Sequence, residues 1–258
     1  MSTILEIRGL TKRFGGLTAV KDLDMEVNER EIFGLIGPNG AGKSTVFSMI
    51  SGFQKPTSGE ILFQGNNLVG LPAHAVARRG IARLFQHPVL FDNISALENV
   101  IVGFHRTRTV GLASSFVYGK KAREEEARFK ARALEILEFV GLTHLKDELA
   151  ANLSHGHQRM LSVGITLATS PGLLLLDEPV TGMNPTESNA MVEIIRKIRE
   201  QGITVMLVEH HMRVVTDVCD RIVVLNYGEK IAEGDAETVC NDPEVCAAYL
   251  GKGTFDAA

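Results

Sequence analysis

Residues 37–45 read Gly37-Pro38-Asn39-Gly40-Ala41-Gly42-Lys43-Ser44-Thr45. An apolar run, Ile32–Ile36, precedes them and reads as a buried strand. Val46-Phe47-Ser48-Met49-Ile50 follows and reads as the start of a helix. The run fits G-x-x-x-x-G-K-[ST], the phosphate-binding loop, in the strand–loop–helix context that the pattern requires. Glycines 37, 40 and 42 let successive backbone N–H groups converge on phosphate oxygens. The helix N-terminus adds favourable partial charge. Lys43 is expected to reach the β- and γ-phosphates of a nucleotide, and the Ser44 hydroxyl to bind Mg²⁺.

This loop constrains the fold to α/β, and the remaining pattern agrees. Strand signals lie at Ile4–Leu10, Leu23–Val27, Glu60–Phe63, Ile81–Phe85, Leu173–Leu176, Thr204–Val208 and Arg221–Leu225. The last three are short, apolar and rich in leucine or β-branched residues, as buried parallel strands are. Helices are expected over 186–200 and 211–219. The middle of the chain differs. Phe129, Ala133, Ile136, Leu137 and Val140 repeat at helical spacing, and Gly141 is placed to stop that helix. Gly103–Gly119 reads as a loop or insertion. The expected architecture is a P-loop NTPase (RecA-like) core over about 1–86 and 160–258. It has an N-terminal antiparallel β portion and an inserted helical subdomain over about 87–159.

Composition narrows the partners. With 258 residues, 45% of them hydrophobic, the chain can bury a sizeable core. A net charge of −4 gives no general basic field, so no nucleic acid is expected. The basic run Lys120-Lys121-Ala122-Arg123 meets Glu124-Glu125-Glu126 at once. Glu124–Arg128 and Glu126–Lys130 have the i,i+4 spacing of an exposed helix. Cys219, Cys240 and Cys246 lack metal-ligand spacing and read as free thiols of a reducing compartment. There is no signal-peptide pattern and no run of 18 apolar residues, so any membrane link is expected to come through a partner.

Leu173-Leu174-Leu175-Leu176-Asp177-Glu178 is a strand ending in two carboxylates. Downstream of a phosphate loop, Asp177 suits a role in holding Mg²⁺. Glu178, one step beyond the strand, suits a general base that polarises the attacking water.

At this point the chain resembles the ATP-binding subunits of ABC transporters, from about Leu5 to Leu250. Leu153-Ser154-His155-Gly156-His157-Gln158 is similar to that family's signature sequence and precedes a helix expected over Arg159–Ala168. The resemblance implies a head-to-tail pair of ATPase subunits, homo- or heteromeric. In it, Ser154, Gly156 and His157 of one chain cover the γ-phosphate held by the other. It also implies that Phe14 stacks on adenine beside Val20, and that Gln86 binds Mg²⁺ and senses the transporter. Gly182-Met183-Asn184-Pro185 would cross the dimer interface, and His210 would contact the γ-phosphate. His155, His157, His211 and Asn184 depart from the commonest family residues, which bears on hydrolysis rate.

Phe14-Gly15-Gly16, Arg83-Leu84-Phe85-Gln86-His87 and the C-terminal Pro243–Gly251 segment are similar to the importer ATPases for branched-chain amino acids. That branch implies integral-membrane permease subunits, an indirectly coupled periplasmic or extracellular solute-binding protein, and a place on the cytoplasmic face of the inner membrane. The open alternatives are an exporter ATPase, such as a lipopolysaccharide transporter, and a soluble ABC protein not linked to transport.

Overall fold

A computed structural model describes residues 2–85, 89–104 and 120–250. Gln86 and most of the expected insertion at 103–119 lie outside the described residues. The rest packs as two units. The first is Met1–Arg83, Gly172–Glu178 and Ile195–Ala258; the second is Leu84–Pro171 and Pro179–Ile194.

The first unit holds two sheets. The smaller starts with β1 (Thr3–Phe14) and β2 (Leu17–Asn28), joined by the two-residue turn Gly15-Gly16. Leu5 opposes Val27, Ile7 opposes Met25, and Leu10 opposes Leu23. This register places the apolar residues of both strands on one buried face. β4 (Ser58–Phe63) and β5 (Asn66–Asn67) complete the order β2-β1-β4-β5.

The larger sheet is built on β3 (Ile32–Ile36), all five residues of which are buried. Its other strands are β6 (Ile81–Leu84), β7 (Leu173–Asp177), β8 (Thr204–Val208), β9 (Arg221–Asn226) and β10 (Glu229–Gly234). The order is β10-β9-β3-β8-β7-β6. β3 runs parallel to both β8 and β9, and β7 parallel to β8. β10 pairs antiparallel with β9.

Residues of opposite parity on these strands feed two cores. Leu35, Val223 and Leu225 join the face that holds β1, β2 and helix α1 (Lys43–Ile50). Ile36, Ile222 and Val224 join the other, with Val215 of α7 (Met212–Val218), Val239 of α8 (Ala236–Cys240) and Val245 and Tyr249 of α9 (Pro243–Leu250). This is the two-residue period of a sheet covered on both sides. A short helix, α2 (Ala73–Arg78), adds Val76 to the first core.

The second unit is helical. It contains α3 (Ala96–Gly103), α4 (Lys120–Phe139), α5 (His155–Ala168) and the start of α6 (Pro185–Glu200). Phe129, Ala133, Leu137 and Val140 are buried, as the stripe predicts. Phe104 stacks on Phe129, ring centroids 5.2 Å apart. Ser95 and Glu98 form a reciprocal capping box at the start of α3. Fully buried Asn99 ties down the chain before α3: Nδ2 donates to the Phe91, Ile94 and Ser95 carbonyls, and Oδ1 accepts from the Phe91 N–H. Arg128 pairs with Glu125 at 3.9 Å, one position from the Glu124 expected by spacing. The boundary also differs from the sequence reading. Residues 160–171 belong to the helical unit because α5 packs on α3 and α4.

Candidate functional site

The phosphate loop leaves the C-terminal end of β3, at the centre of the larger sheet. Gly37, Gly40 and Gly42 have φ of 146°, 84° and 105°. A Cβ at Gly37 would overlap the Leu225 carbonyl, and one at Gly42 would lie 2.5 Å from the Ala19 carbonyl oxygen. Only glycine lets the loop pass this close to β2 and β9. Lys43 opens α1 and is 7% exposed; its Nζ donates to the carbonyls of Gly37 (2.6 Å) and Pro38 (3.1 Å). Burial pulls the Lys43 pKa below the ordinary lysine value, and the carboxylates of Glu178 and Asp177 partly offset this. No side chain caps α1, so the start of that helix is not closed off by a side-chain acceptor. Ala41 is buried, Pro38 and Thr45 are half-buried, and Asn39 and Ser44 are exposed.

Asp177 ends β7, and Glu178 follows with φ +50°, a backbone conformation that costs a non-glycine residue about 1–3 kcal/mol. The Glu178 N–H donates to the Val208 carbonyl (2.9 Å), which aligns the ends of β7 and β8. His210 lies just beyond β8. Its Nδ1 is 3.8 Å from Glu178 Oε1. The C-terminal ends of β3, β7 and β8 thus bring together Lys43, Asp177, Glu178 and His210.

A further residue escapes sequence reading. Arg83, on β6, donates from Nη2 to Asp177 Oδ2 at 2.7 Å and from Nη1 to the hydroxyls of Ser48 on α1 (3.1 Å) and of Ser51 at its C-cap (3.3 Å). Its guanidinium also lies 5.8 Å from the Phe47 ring centroid. One side chain therefore links β6, the Asp177 carboxylate and the helix of the phosphate loop.

Phe14 sits at the end of β1, 44% exposed, with the Lys12 ammonium 4.8 Å from its ring centroid. It is a surface ring, available for stacking. Val20 is fully buried, against the position a Cβ on Gly42 would take, and supports the loop from beneath.

The signature segment lies in the second unit. Ser154 is the N-cap of α5; its Oγ accepts the His157 N–H (3.2 Å) and donates to Glu187 Oε1 (3.2 Å). That cap starts the helix at His155 rather than at Arg159. Glu187 is a second residue missed in the sequence. It accepts from the Asn184 N–H (3.2 Å) while its own N–H donates to Asn184 Oδ1 (2.9 Å). Gly156 is buried against the Glu187 carboxylate, which a Cβ there would displace. Glu187 thereby locks the signature to the 182–185 loop. The His157 and His144 rings meet edge-on, centroids 6.1 Å apart.

Chemically, the first unit offers a glycine-rich loop at a helix N-terminus, a buried ammonium, a hydroxyl, two carboxylates and an imidazole. The glycine cradle fits a nucleotide's phosphates. The Ser44 and Asp177 oxygens are hard donors of the kind Mg²⁺ takes. A profile of the ABC transporter family matches residues 20–181. The chain belongs to this family. It is an ATP-binding cassette ATPase. A second profile, branched-chain amino acid ATP-binding cassette transporter, matches residues 229–254.

Among curated relatives, the high-affinity branched-chain amino acid transport ATP-binding protein LivG of Salmonella typhimurium is 42% identical over 250 residues. That alignment spans 96% of this chain and 98% of LivG. The corresponding BraF protein of Pseudomonas aeruginosa is 41% identical over the same shares. The lipopolysaccharide export ATP-binding protein LptB of Haemophilus influenzae is more distant, at 34%. Among solved structures, the ADP conformation of an ATP-binding cassette of an ABC transporter superposes with a TM-score of 0.85. It is 31% identical and covers 98% of this chain and all of the other.

Proposed function

We propose that this ATPase powers an importer for branched-chain amino acids or closely related small polar solutes. The observation that carries this reading is the 42% identity to LivG over nearly the whole of both chains, joined by the specialised C-terminal match at 229–254. The greater distance of LptB disfavours the exporter reading. No described helix is long and apolar enough to cross a membrane. In this reading, which rests on the likeness to transport ATP-binding proteins, the ATPase acts through integral-membrane permease subunits at the cytoplasmic face. A solute-binding protein delivers the solute to those subunits from the other side.

In the proposed cycle, adenine stacks on Phe14 and the loop 37–45 encloses the phosphates. Lys43 neutralises the β- and γ-phosphates. Ser44, Asp177 and Gln86 would hold Mg²⁺, which would supply further charge neutralisation. Glu178 accepts a proton from the attacking water, and His210 orients at the γ-phosphate. Ser154, Gly156 and His157 of a second ATPase subunit close over that phosphate, with the helix N-terminus facing the anion. The strained backbone of Glu178 and its proximity to His210 support this assignment.

The test is uptake. Cells lacking this gene should lose high-affinity uptake of labelled leucine, isoleucine or valine. The wild-type gene should restore it, and the Lys43→Ala gene should not. Full uptake in the deletion strain, or restoration by Lys43→Ala, would contradict the proposal.

A further inference from the structure

Directly after β8 the chain reads Glu209-His210-His211. These three residues offer one carboxylate oxygen and two imidazole nitrogens, all within 4.8 Å of one another. The Glu209 carboxylate is fully buried and fixed: its Oε2 accepts the backbone N–H groups of His210 (3.1 Å) and His211 (3.5 Å). Nδ1 of His211 lies 3.3 Å from that oxygen, and Nδ1 of His210 lies 3.9 Å from it. The centroids of the two rings are 4.2 Å apart. Both imidazoles are about half exposed, so small rotations bring them onto a common point beside a stationary carboxylate.

We propose that Glu209, His210 and His211 bind a divalent transition-metal ion of the zinc class, and that its binding switches hydrolysis off. Zinc–nitrogen and zinc–oxygen bonds of about 2.0–2.2 Å in a tetrahedron put neighbouring ligand atoms roughly 3.3 Å apart. The His211–Glu209 separation already has this value. Two imidazoles and one carboxylate select Zn²⁺, Co²⁺ or Ni²⁺ over Mg²⁺, which prefers oxygen donors and retains its water. The fourth position is left to water.

The switch follows from one atom. His210 Nδ1 faces both Glu209 Oε2 (3.9 Å) and Glu178 Oε1 (3.8 Å). An ion on Nδ1 occupies the nitrogen directed at Glu178 and fixes the ring toward Glu209. Nucleotide can still bind in the phosphate loop, but His210 no longer serves the hydrolytic site. This second half rests on the role given to His210 above; the metal site itself does not.

The experiment uses the full chain, stripped with EDTA and free of nucleotide. Co²⁺ is titrated and its visible absorption followed, and Zn²⁺ affinity is measured by competition with a chromogenic chelator. Wild type should bind one equivalent with the intense absorption of four-coordinate Co²⁺. His211→Gln, an exposed substitution, should bind at least about tenfold more weakly, as should Glu209→Gln. His144→Gln, in the other histidine pair, should bind as wild type. With excess Mg²⁺ and ATP, Zn²⁺ should inhibit wild type and spare His211→Gln. No metal binding by wild type, or equal binding by His211→Gln, would overturn the site. Equal zinc inhibition of wild type and His211→Gln would overturn the switch. Full hydrolysis by His210→Ala would overturn the role of His210 and the switch with it, while the metal titration decides the site independently.

Discussion

Arg83 Nη2 lies 2.7 Å from Asp177 Oδ2, both side chains being 9% exposed. Removing one partner of such a pair leaves a buried charge uncompensated, at a cost of about 3–5 kcal/mol. Arg83→Met should therefore lower the unfolding midpoint sharply and raise the Mg²⁺ concentration needed for half-maximal ATPase activity. Arg83→Lys keeps the charge but not the fork that reaches Asp177 and both serines, and should fall between. Calorimetry and a Mg²⁺ titration check this. An Arg83→Met protein with wild-type melting and Mg²⁺ dependence would show that the pair does not position Asp177.

Ser154 caps α5 and bonds Glu187. Ser154→Ala should cost about 0.5–2 kcal/mol of stability through loss of the cap. It should also slow hydrolysis, with nucleotide affinity of the single chain unchanged, because the signature is assigned to the partner's phosphate. Equilibrium binding of a fluorescent ATP analogue at low protein concentration, beside steady-state ATPase rates, separates the two effects. A large loss of affinity in the single chain would place Ser154 in the wrong site.

The three thiols should differ in reactivity. Burial, reinforced by Asp220, Glu209 and Glu31, pushes the Cys219 thiol far above its ordinary range, and burial also raises Cys240. The thiolate is the reactive form. A disulfide reagent at pH 8 should leave Cys219 unmodified in the native protein and modify it once denaturant is added. Cys219 is half-buried, so rapid native labelling there, located by peptide mass spectrometry, would contradict the raised pKa.

Much of the first unit was legible because its signals are local. Ile32–Ile36 and Thr204–Val208 match their strands end to end, since short apolar β-branched runs leave no room for a helix. The β1–β2 hairpin is longer than its apolar cores at Ile4–Leu10 and Leu23–Val27, because ladder bonds continue through polar residues to the turn. β10 was missed: Glu-Lys-Ile-Ala-Glu-Gly has no clear alternation and is held by pairing with β9. Lys43 was readable from the phosphate-loop pattern, Asp177 and Glu178 as carboxylates at a strand end, and His210 through the family resemblance. Arg83 and Glu187 were not. Asp177 lies 94 positions from Arg83 and Ser154 lies 33 from Glu187, and only the folded chain brings these pairs together; the Asn184–Glu187 bonds, three positions apart, are local.

Nucleotide should stabilise the chain through Lys43. Binding to the native state alone adds about 2.7 kcal/mol at ligand 100-fold above Kd. Mg²⁺ and ATP should thus raise the melting temperature of wild type by several degrees and leave that of Lys43→Ala unchanged. An equal rise in both proteins, followed by scanning fluorimetry, would mean that the phosphates bind without Lys43.

The central claim is that Glu178 activates water beside a nucleotide held by the loop 37–45. Steady-state hydrolysis and ATP retention by purified Glu178→Gln test it most directly. The account predicts that this variant binds ATP as tightly as wild type, accumulates an ATP-bound dimer, and hydrolyses at least about 100-fold more slowly, the lower end of what a positioned base contributes. Turnover at the wild-type rate by Glu178→Gln would contradict it.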